Sequence, residues 1–335
     1  MHAGSPPVAH NEVKSYAQGH EDATLNRDPG QQEHGVSESL IIKQNNHPAQ
    51  PAYRPFTSTD VRAAYALSTS IRWPHRQEDW QFAADAGLGF VAEESGSLIG
   101  TALGWKFGAD RATIGMVIVA PEQQGRGIGR KLMDLLLDEL GERTTFLYAT
   151  PAGQPLYEKL GFRACGSLDQ HQGAASGPAV VTLAPGERLR KVREADLPRL
   201  IELASLTSGL DRSAIMPALL QIADGVVLER EGKVIGFSLF RKFGRGHVIG
   251  PVAALESADN ARARALIAYW LAAHIGVPVR IDVPAGGALT DWLGGQGIAH
   301  VDKVTRMVRN APAGAVDATR DLPYRAYGII NQAMG

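Results

Sequence analysis

The sequence predicts an α/β chain, α+β in its layering, with two similar domains behind an N-terminal tail. Each domain is expected to hold a mixed, mainly antiparallel sheet flanked by helices. Three observations carry this. At 335 residues the chain has the length of two ordinary domains. Strand-like apolar runs alternate with amphipathic helical stretches from Phe56 to Gly166. A hairpin also recurs. Gly89, Val91, Glu93, Gly96, Ile99 and Gly100 reappear as Gly225, Val227, Glu229, Gly232, Ile235 and Gly236, each pair 136 positions apart (225 − 89). Gly161 and Gly297 recover that offset far downstream, which a chance match of two hairpins would not do.

In chain order, residues 1–53 are rich in Gln, Asn, His, Pro and Gly and keep no period, so they are expected to be a disordered tail. Five of the ten histidines lie there at irregular spacing, a pattern of solvated filler and not of a metal site. Residues 54–170 are read as the first domain. Ser58, Thr59 and Asp60 cap a short helix beginning at Val61. Gln77–Ala86 is a second helix. Gly89–Glu93 and Leu98–Trp105 are strands joined by a turn at Ser95 and Gly96, and Thr113–Val119 is a third. Gly127–Leu140 is a helix with Leu132, Leu135, Leu136 and Leu140 on one face. Thr144–Ala149 is a strand, Gln154–Leu160 a short helix and Phe162–Gly166 a last strand. Residues 171–187, rich in Gly, Ala, Ser and Pro, read as a connection with one strand at Val180–Leu183. Residues 188–335 form the second domain.

Composition narrows the function. A net charge of -1 gives no support to a nucleic-acid surface or a polybasic membrane anchor. The longest apolar stretches, such as Leu266–Ala273, fall far short of the roughly 18 residues a membrane helix needs. The N-terminus carries Glu12, Glu21 and Asp22 and has no apolar core, so neither a secretory signal nor a transit peptide is expected. The single cysteine, Cys165, excludes an intramolecular disulfide or a thiolate zinc cluster and fits a reducing, cytoplasmic compartment. It reads as a small buried residue, since nothing nearby in sequence would activate it as a nucleophile.

The segment that points to chemistry is Gln124-Gly125-Arg126-Gly127-Ile128-Gly129-Arg130, set between a strand and a helix. Alternate glycines let the backbone turn tightly, and the helix start offers unpaired N–H groups to a phosphate. A Walker A loop would need Gly-Lys-Ser/Thr, but Gly129 is followed by Arg130 and Lys131. A dinucleotide fingerprint would need Gly-x-Gly-x-x-Gly in a parallel unit, and the preceding strands read as an antiparallel meander. With Val119, Ala120 and Pro121 ahead of it, the segment resembles the pyrophosphate loop of the GNAT superfamily of N-acetyltransferases, meeting Q/R-x-x-G-x-G/A at Gln124, Gly127 and Gly129. Tyr157, Gly161 and Phe162 match that superfamily's Tyr-x-x-x-Gly-Phe. The repeat extends the likeness, so the chain resembles a tandem GNAT protein.

The resemblance implies acetyl-CoA as acyl donor. The strand ending at Val119 would splay from its neighbour. Backbone groups of Val117, Ile118 and Val119 would hold the pantetheine arm, and N–H groups of residues 125–130 the pyrophosphate. A small-molecule amine would attack the thioester directly, and Tyr157 would protonate the leaving thiolate. The general base is open: the family often has a Glu on the strand before the loop, but Arg111–Val119 contains no carboxylate and Thr113 falls near that position. His75, between the first two helices, is the candidate base, with a capping or surface role as the alternative. Trp73, Arg76 and Asp79 are candidate acceptor contacts, Trp73 doubling as packing.

By the constant offset, Gln124–Gly129 maps to Asn260–Ala265, which has no glycine, and Tyr157 maps to Leu293. The second domain is therefore expected to keep the fold, lose cofactor chemistry and help wall the acceptor pocket, with His247, Asp282, Trp292 and Tyr327 as further candidates. The expected function is acetyl-CoA-dependent N-acyl transfer to a small amine. The rivals are a silent acyl-CoA sensor or interaction module and a protein or peptide acetyltransferase. Nothing here predicts a metal, nucleic acid or membrane partner; a homodimer is left open.

Overall fold

The computed structural model describes residues 50–177, 181–285, 289–312 and 322–335. Most of the tail reading, residues 1–49, therefore lies outside the described residues, as does Val180. The described chain enters strand earlier than expected: Ala52–Pro55 (β1) pairs antiparallel with Leu88–Glu94 (β2).

The first half follows the expected order. Val61–Ser70 (α1) is preceded by a 3-10 turn in which the Asp60 carboxylate accepts the Thr57 N–H at 2.8 Å, a reciprocal cap. Gln77–Asp85 (α2) starts the same way, with the Arg76 N–H donated to Asp79 at 2.9 Å. Strands β2, Ser97–Phe107 (β3) and Arg111–Val119 (β4) form an antiparallel meander. Ile128–Leu140 (α3) lies across it and buries Leu132, Met133, Leu136 and Leu140 completely. Leu135, expected on that face, is half-exposed at its edge; Met133 and Leu137 take the buried positions instead. Thr144–Ala149 (β5) runs parallel to β4, and Gln154–Lys159 (α4) leads to Arg163–Ala174 (β6).

The second half repeats this: Glu187–Lys191 (β7), Leu197–Ser208 (α5), Ile215–Gln221 (α6), Asp224–Arg230 (β8), Lys233–Phe243 (β9), Gly246–Leu255 (β10), Ala261–Ala273 (α7), Pro278–Pro284 (β11), Thr290–Gly295 (α8) and Ile298–Arg309 (β12). A final strand, Tyr324–Gly328 (β13), has no counterpart in the first half. An ion triad is duplicated with the fold. Arg54 grips Asp60 at 2.7 Å and Glu93 at 3.1 Å. At the same offset, Arg190 grips Asp196 and Glu229, both at 2.7 Å. The triad ties the first strand to the helix cap and the second strand in each half.

The two halves share one sheet. Among the described residues all 13 strands form one sheet, in the order β1-β2-β3-β4-β5-β12-β6-β11-β10-β9-β8-β7, with β13 beside β10. Each half gives its last long strand to the other: β12 pairs with β5, and β6 with β11. The expected strand end at Gly166 and the connection from 171 are thus corrected, because β6 continues to Ala174. Its small, polar residues resemble a linker, but backbone pairing on both edges makes the strand. Close crossing demands the small side: a Cβ on Gly173 would stand 2.0 Å from the Gly297 carbonyl oxygen. Residues 181–183, expected in a strand, carry no regular structure. The core is shared too; one cluster joins Trp105 and Leu132 with Leu203, Met216 and Phe237.

Candidate active site

β4 and β5 pair through only four rungs, from Arg111↔Thr144 to Ile114↔Leu147. Beyond these the strands part, while β4 runs on to Val119 and β5 to Ala149. The bend is built into β4, where Met116 takes φ 54° and the register against β3 shifts. The Thr101 hydroxyl secures it by donating to the Met116 carbonyl at 2.7 Å. The result is a fork in which the backbone of Val117, Ile118 and Val119 has no partner strand on the β5 side. An extended ligand can pair with that edge.

The glycine loop stands at the open end of the fork. Gly125 and Gly127 adopt φ 79° and 77°, with nothing within 4 Å of where a Cβ would lie. They give both the left-handed turn and an open cradle. The first bond of α3 runs from Lys131 N–H to the Gly127 carbonyl, so the N–H groups of Ile128, Gly129 and Arg130 lie ahead of the helix ladder and face outward. Gln124 donates to the Val119 carbonyl at 3.2 Å and fastens the loop to the strand end. Arg126 reaches back to Glu94 at 2.7 Å, and Arg130 to Asp134 at 3.4 Å. The small face of Gly129 lets Val119 and Leu156 close in, which sets α4 against the loop.

Tyr157 sits on α4 with its ring edge-on to Phe162, centroids 6.1 Å apart. Among the described residues its hydroxyl has no hydrogen-bond partner. Burial pushes its pKa up to about 12, which keeps the phenol protonated.

At the closed end of the fork lies a cavity of about 350 Å³, walled by both halves. The first half contributes Thr113, Leu147 and Tyr148; the second contributes Thr207, Arg212 and Arg306. Thr113 Oγ1 is buried there with no partner among the described residues. Cys165, half-buried, also borders this cavity.

Two family models match the chain: "Acetyltransferase (GNAT) family" over residues 58–162 and "Acetyltransferase (GNAT) domain" over residues 200–320. The chain belongs to the GNAT acetyltransferase family. A curated relative, the uncharacterized N-acetyltransferase YitH of Bacillus subtilis, is 33% identical over 176 residues, 52% of this chain and 60% of the relative. The chain thus matches somewhat less than two thirds of that relative's length. A putative acetyltransferase from Pyrococcus horikoshii shares the fold at TM-score 0.65 and 21% identity, over 90% of this chain and 100% of that one. A tandem GNAT protein from the clavulanic acid biosynthesis pathway does so at TM-score 0.60 and 15% identity, over 78% of this chain and 99% of that one.

The second GNAT half has the same fork, but it is filled. β10 and β11 pair at two rungs only, His247↔Val279 and Val248↔Arg280. β13 then runs between them, pairing with β10 from Val252↔Gly328 to Leu255↔Tyr324. Ile329 N–H adds a bond to the Asp282 carbonyl of β11 at 3.1 Å. The loop is shorter as well. α7 begins at Ala261 where α3 begins at Ile128, an offset of 133 (261 − 128) and not 136, so three residues are missing. The structural counterpart of Gly127 is therefore Asn260, which holds the same left-handed cap at φ 53°. This corrects the constant-offset mapping onto Asn260–Ala265. Leu293 does replace Tyr157 and is fully buried.

The structure places the remaining sequence candidates away from the GNAT fork. Trp73, His75, Arg76 and Asp79 line no wall of the cavity; they meet the β9–β10 hairpin. Asp79 accepts the Gly244 N–H at 2.9 Å, and Arg76 donates to the Lys242 carbonyl at 3.1 Å. Burial works to raise the Asp79 carboxyl, but hydrogen bonds from Arg76 and Gly244 outweigh it and hold the group below its usual range. The His75 ring packs between Trp73 and Phe243, and burial pushes its pKa down to about 4. His247, Asp282, Trp292 and Tyr327 also lie outside the cavity wall. Arg212, Arg306 and Thr207 were not singled out from sequence. They are distant in the chain from β4 and β5, and only the exchanged strands and the packing of the second half bring them to the cavity.

Proposed function

We propose that the first half binds one acetyl-CoA and transfers its acetyl group to a small amine by direct attack in a ternary complex. The observation that carries this reading is the open fork beside a glycine-cradled helix start. The loop N–H groups would hold the pyrophosphate, and the free edge of Val117–Val119 the pantetheine arm. The fit rests on the empty space over Gly125 and Gly127, which any side chain would fill.

The acyl donor supplies the thioester. An acceptor in its free-base form attacks the carbonyl carbon, the N–C bond forms and the C–S bond breaks. Tyr157 gives its proton to the sulfur. The proton shed by the amine leaves through the cavity to solvent and restores the phenol. In this reading His75 serves the contact between halves and is not the base. A cavity of about 350 Å³ walled by both halves has the size of a small-molecule site.

Gly127→Glu tests the assignment. The added carboxylate would fill the cradle and repel phosphate, so calorimetry should find no acetyl-CoA binding while circular dichroism stays native. Unchanged affinity would sink the loop assignment.

A further inference from the structure

The fork cavity has an uneven charge. Among the described residues, Arg212, Arg306 and Arg325 contribute to its wall and no Asp or Glu side chain does. Arg325 is matched by Glu256 at 3.4 Å. Arg212 is buried and spends its donors on the Ser208 hydroxyl, the Met334 carbonyl and a main-chain oxygen of Gly335, so its charge is already partnered. Burial lowers its pKa to about 9, and the nearby Arg306 charge pushes the same way. The Arg306 guanidinium makes no hydrogen bond or ion pair among the described residues. Its guanidinium lies over the Phe146 ring, 4.5 Å from the centroid. The ring fixes the plane of the group and leaves its N–H edge to a ligand.

The position of Arg306 says which part of the reaction it serves. Phe146 pairs with Thr113 one rung before the last, Ile114↔Leu147, beyond which the fork opens. Adjacent strands are about 4.8 Å apart, so the Thr113 hydroxyl and the Arg306 guanidinium border one small space. The pyrophosphate loop follows Val119, about 20 Å further along β4 at the usual strand rise. Arg306 therefore does not serve the phosphates of the loop. It faces the acceptor side, and the second half delivers it there on the exchanged strand β12, opposite Tyr148.

We infer that the acceptor is a small amine carrying a carboxylate, which Arg306 binds as a two-pronged partner while the orphan Thr113 hydroxyl accepts from the amine. This rests on the acetyl-transfer reading above and names its substrate class. An anion here would offset the charge of the half-buried Arg306, and it matches the planar fork of arginine. A neutral or cationic amine would leave that charge uncompensated. Arg306 acts as a specificity residue, apart from the bond-making atoms.

The test is thiol release from acetyl-CoA with matched acceptors: a panel of α- and ω-amino acids, their carboxamides, and the amines lacking the acid group. The carboxylates should be used with kcat/KM at least about tenfold above their carboxamides, the scale of a charged hydrogen bond. In Arg306→Gln, KM for the carboxylate should rise about tenfold or more, while KM for acetyl-CoA and turnover of the carboxamides stay within about threefold. Arg306→Lys should recover part of the loss. A purely structural role would instead move both acceptor classes together. Carboxamides or simple amines used as well as the acids would overturn the inference and leave the transferase reading intact. So would a preference that survives in Arg306→Gln, or acetyl-CoA binding without transfer to either class. Failure to bind acetyl-CoA at all would overturn the transferase reading and this inference with it.

Discussion

Tyr157 shows what a single residue gains from its setting. Its phenol is kept neutral well above neutral pH, the state a proton donor needs. Tyr157→Phe should lower kcat by roughly 10²–10⁴-fold with acetyl-CoA affinity little changed, measured by steady-state kinetics and calorimetry. A kcat within a few-fold of wild type would return the residue to packing against Phe162. His75 makes a different prediction. Its folded pKa is about 4 against 6.5 for the free side chain, so the unfolded chain binds its proton more tightly. Stability from this group is complete above pH 6.5 and is lost as pH falls towards 4, by at most about 3 kcal/mol. His75→Leu should flatten that part of the pH profile in urea unfolding between pH 4.5 and 7. A profile unchanged by the substitution would show that the ring is not sealed between Trp73 and Phe243. Sequence named His75 for its intrinsic pKa, but desolvation against a hairpin distant in the chain decided its state. Neither the β9–β10 hairpin nor its docking on α2 was read from the sequence.

At the scale of elements, local signals were reliable where side-chain period or turn chemistry fixes the backbone. The hairpin of β2 and β3, the helix α3 and the strand β5 stand where alternation and glycine placed them. They failed for β6, whose Asp169, Gln170, Gln172 and Gly173 carry no apolar period. Two neighbouring strands, both from the other half, satisfy its backbone and impose the conformation. The same exchange leaves each half incomplete alone. A chain ending at Gly177 would expose the edge of β5 and both edges of β6, ready to pair with other chains. Such a fragment should aggregate or stay largely unfolded, whereas mixing it with residues 178–335 during refolding should restore a soluble complex. A monomeric, folded fragment by circular dichroism and size exclusion would contradict the exchanged topology.

For the whole molecule, duplication followed by divergence explains why one fork is open and one is closed. Hairpin glycines and the Arg-Asp-Glu triads survive in both halves because they hold the fold. The cradle, by contrast, survives in only one. The missing glycines and Leu293 led the sequence reading to expect a silent second half. It missed the plug, since nothing local in Tyr324–Gly328 says which pair of strands it will enter. The cavity at the closed end of the fork was equally hidden, being assembled from residues of both halves. The central claim is that a single acetyl-CoA site exists per chain, in the first half. Calorimetric titration of acetyl-CoA into the wild-type chain tests it directly. The account predicts a stoichiometry near one, falling to none in Gly127→Glu. A stoichiometry near two, or a site that survives in Gly127→Glu, would contradict it and place cofactor in the fork that β13 fills.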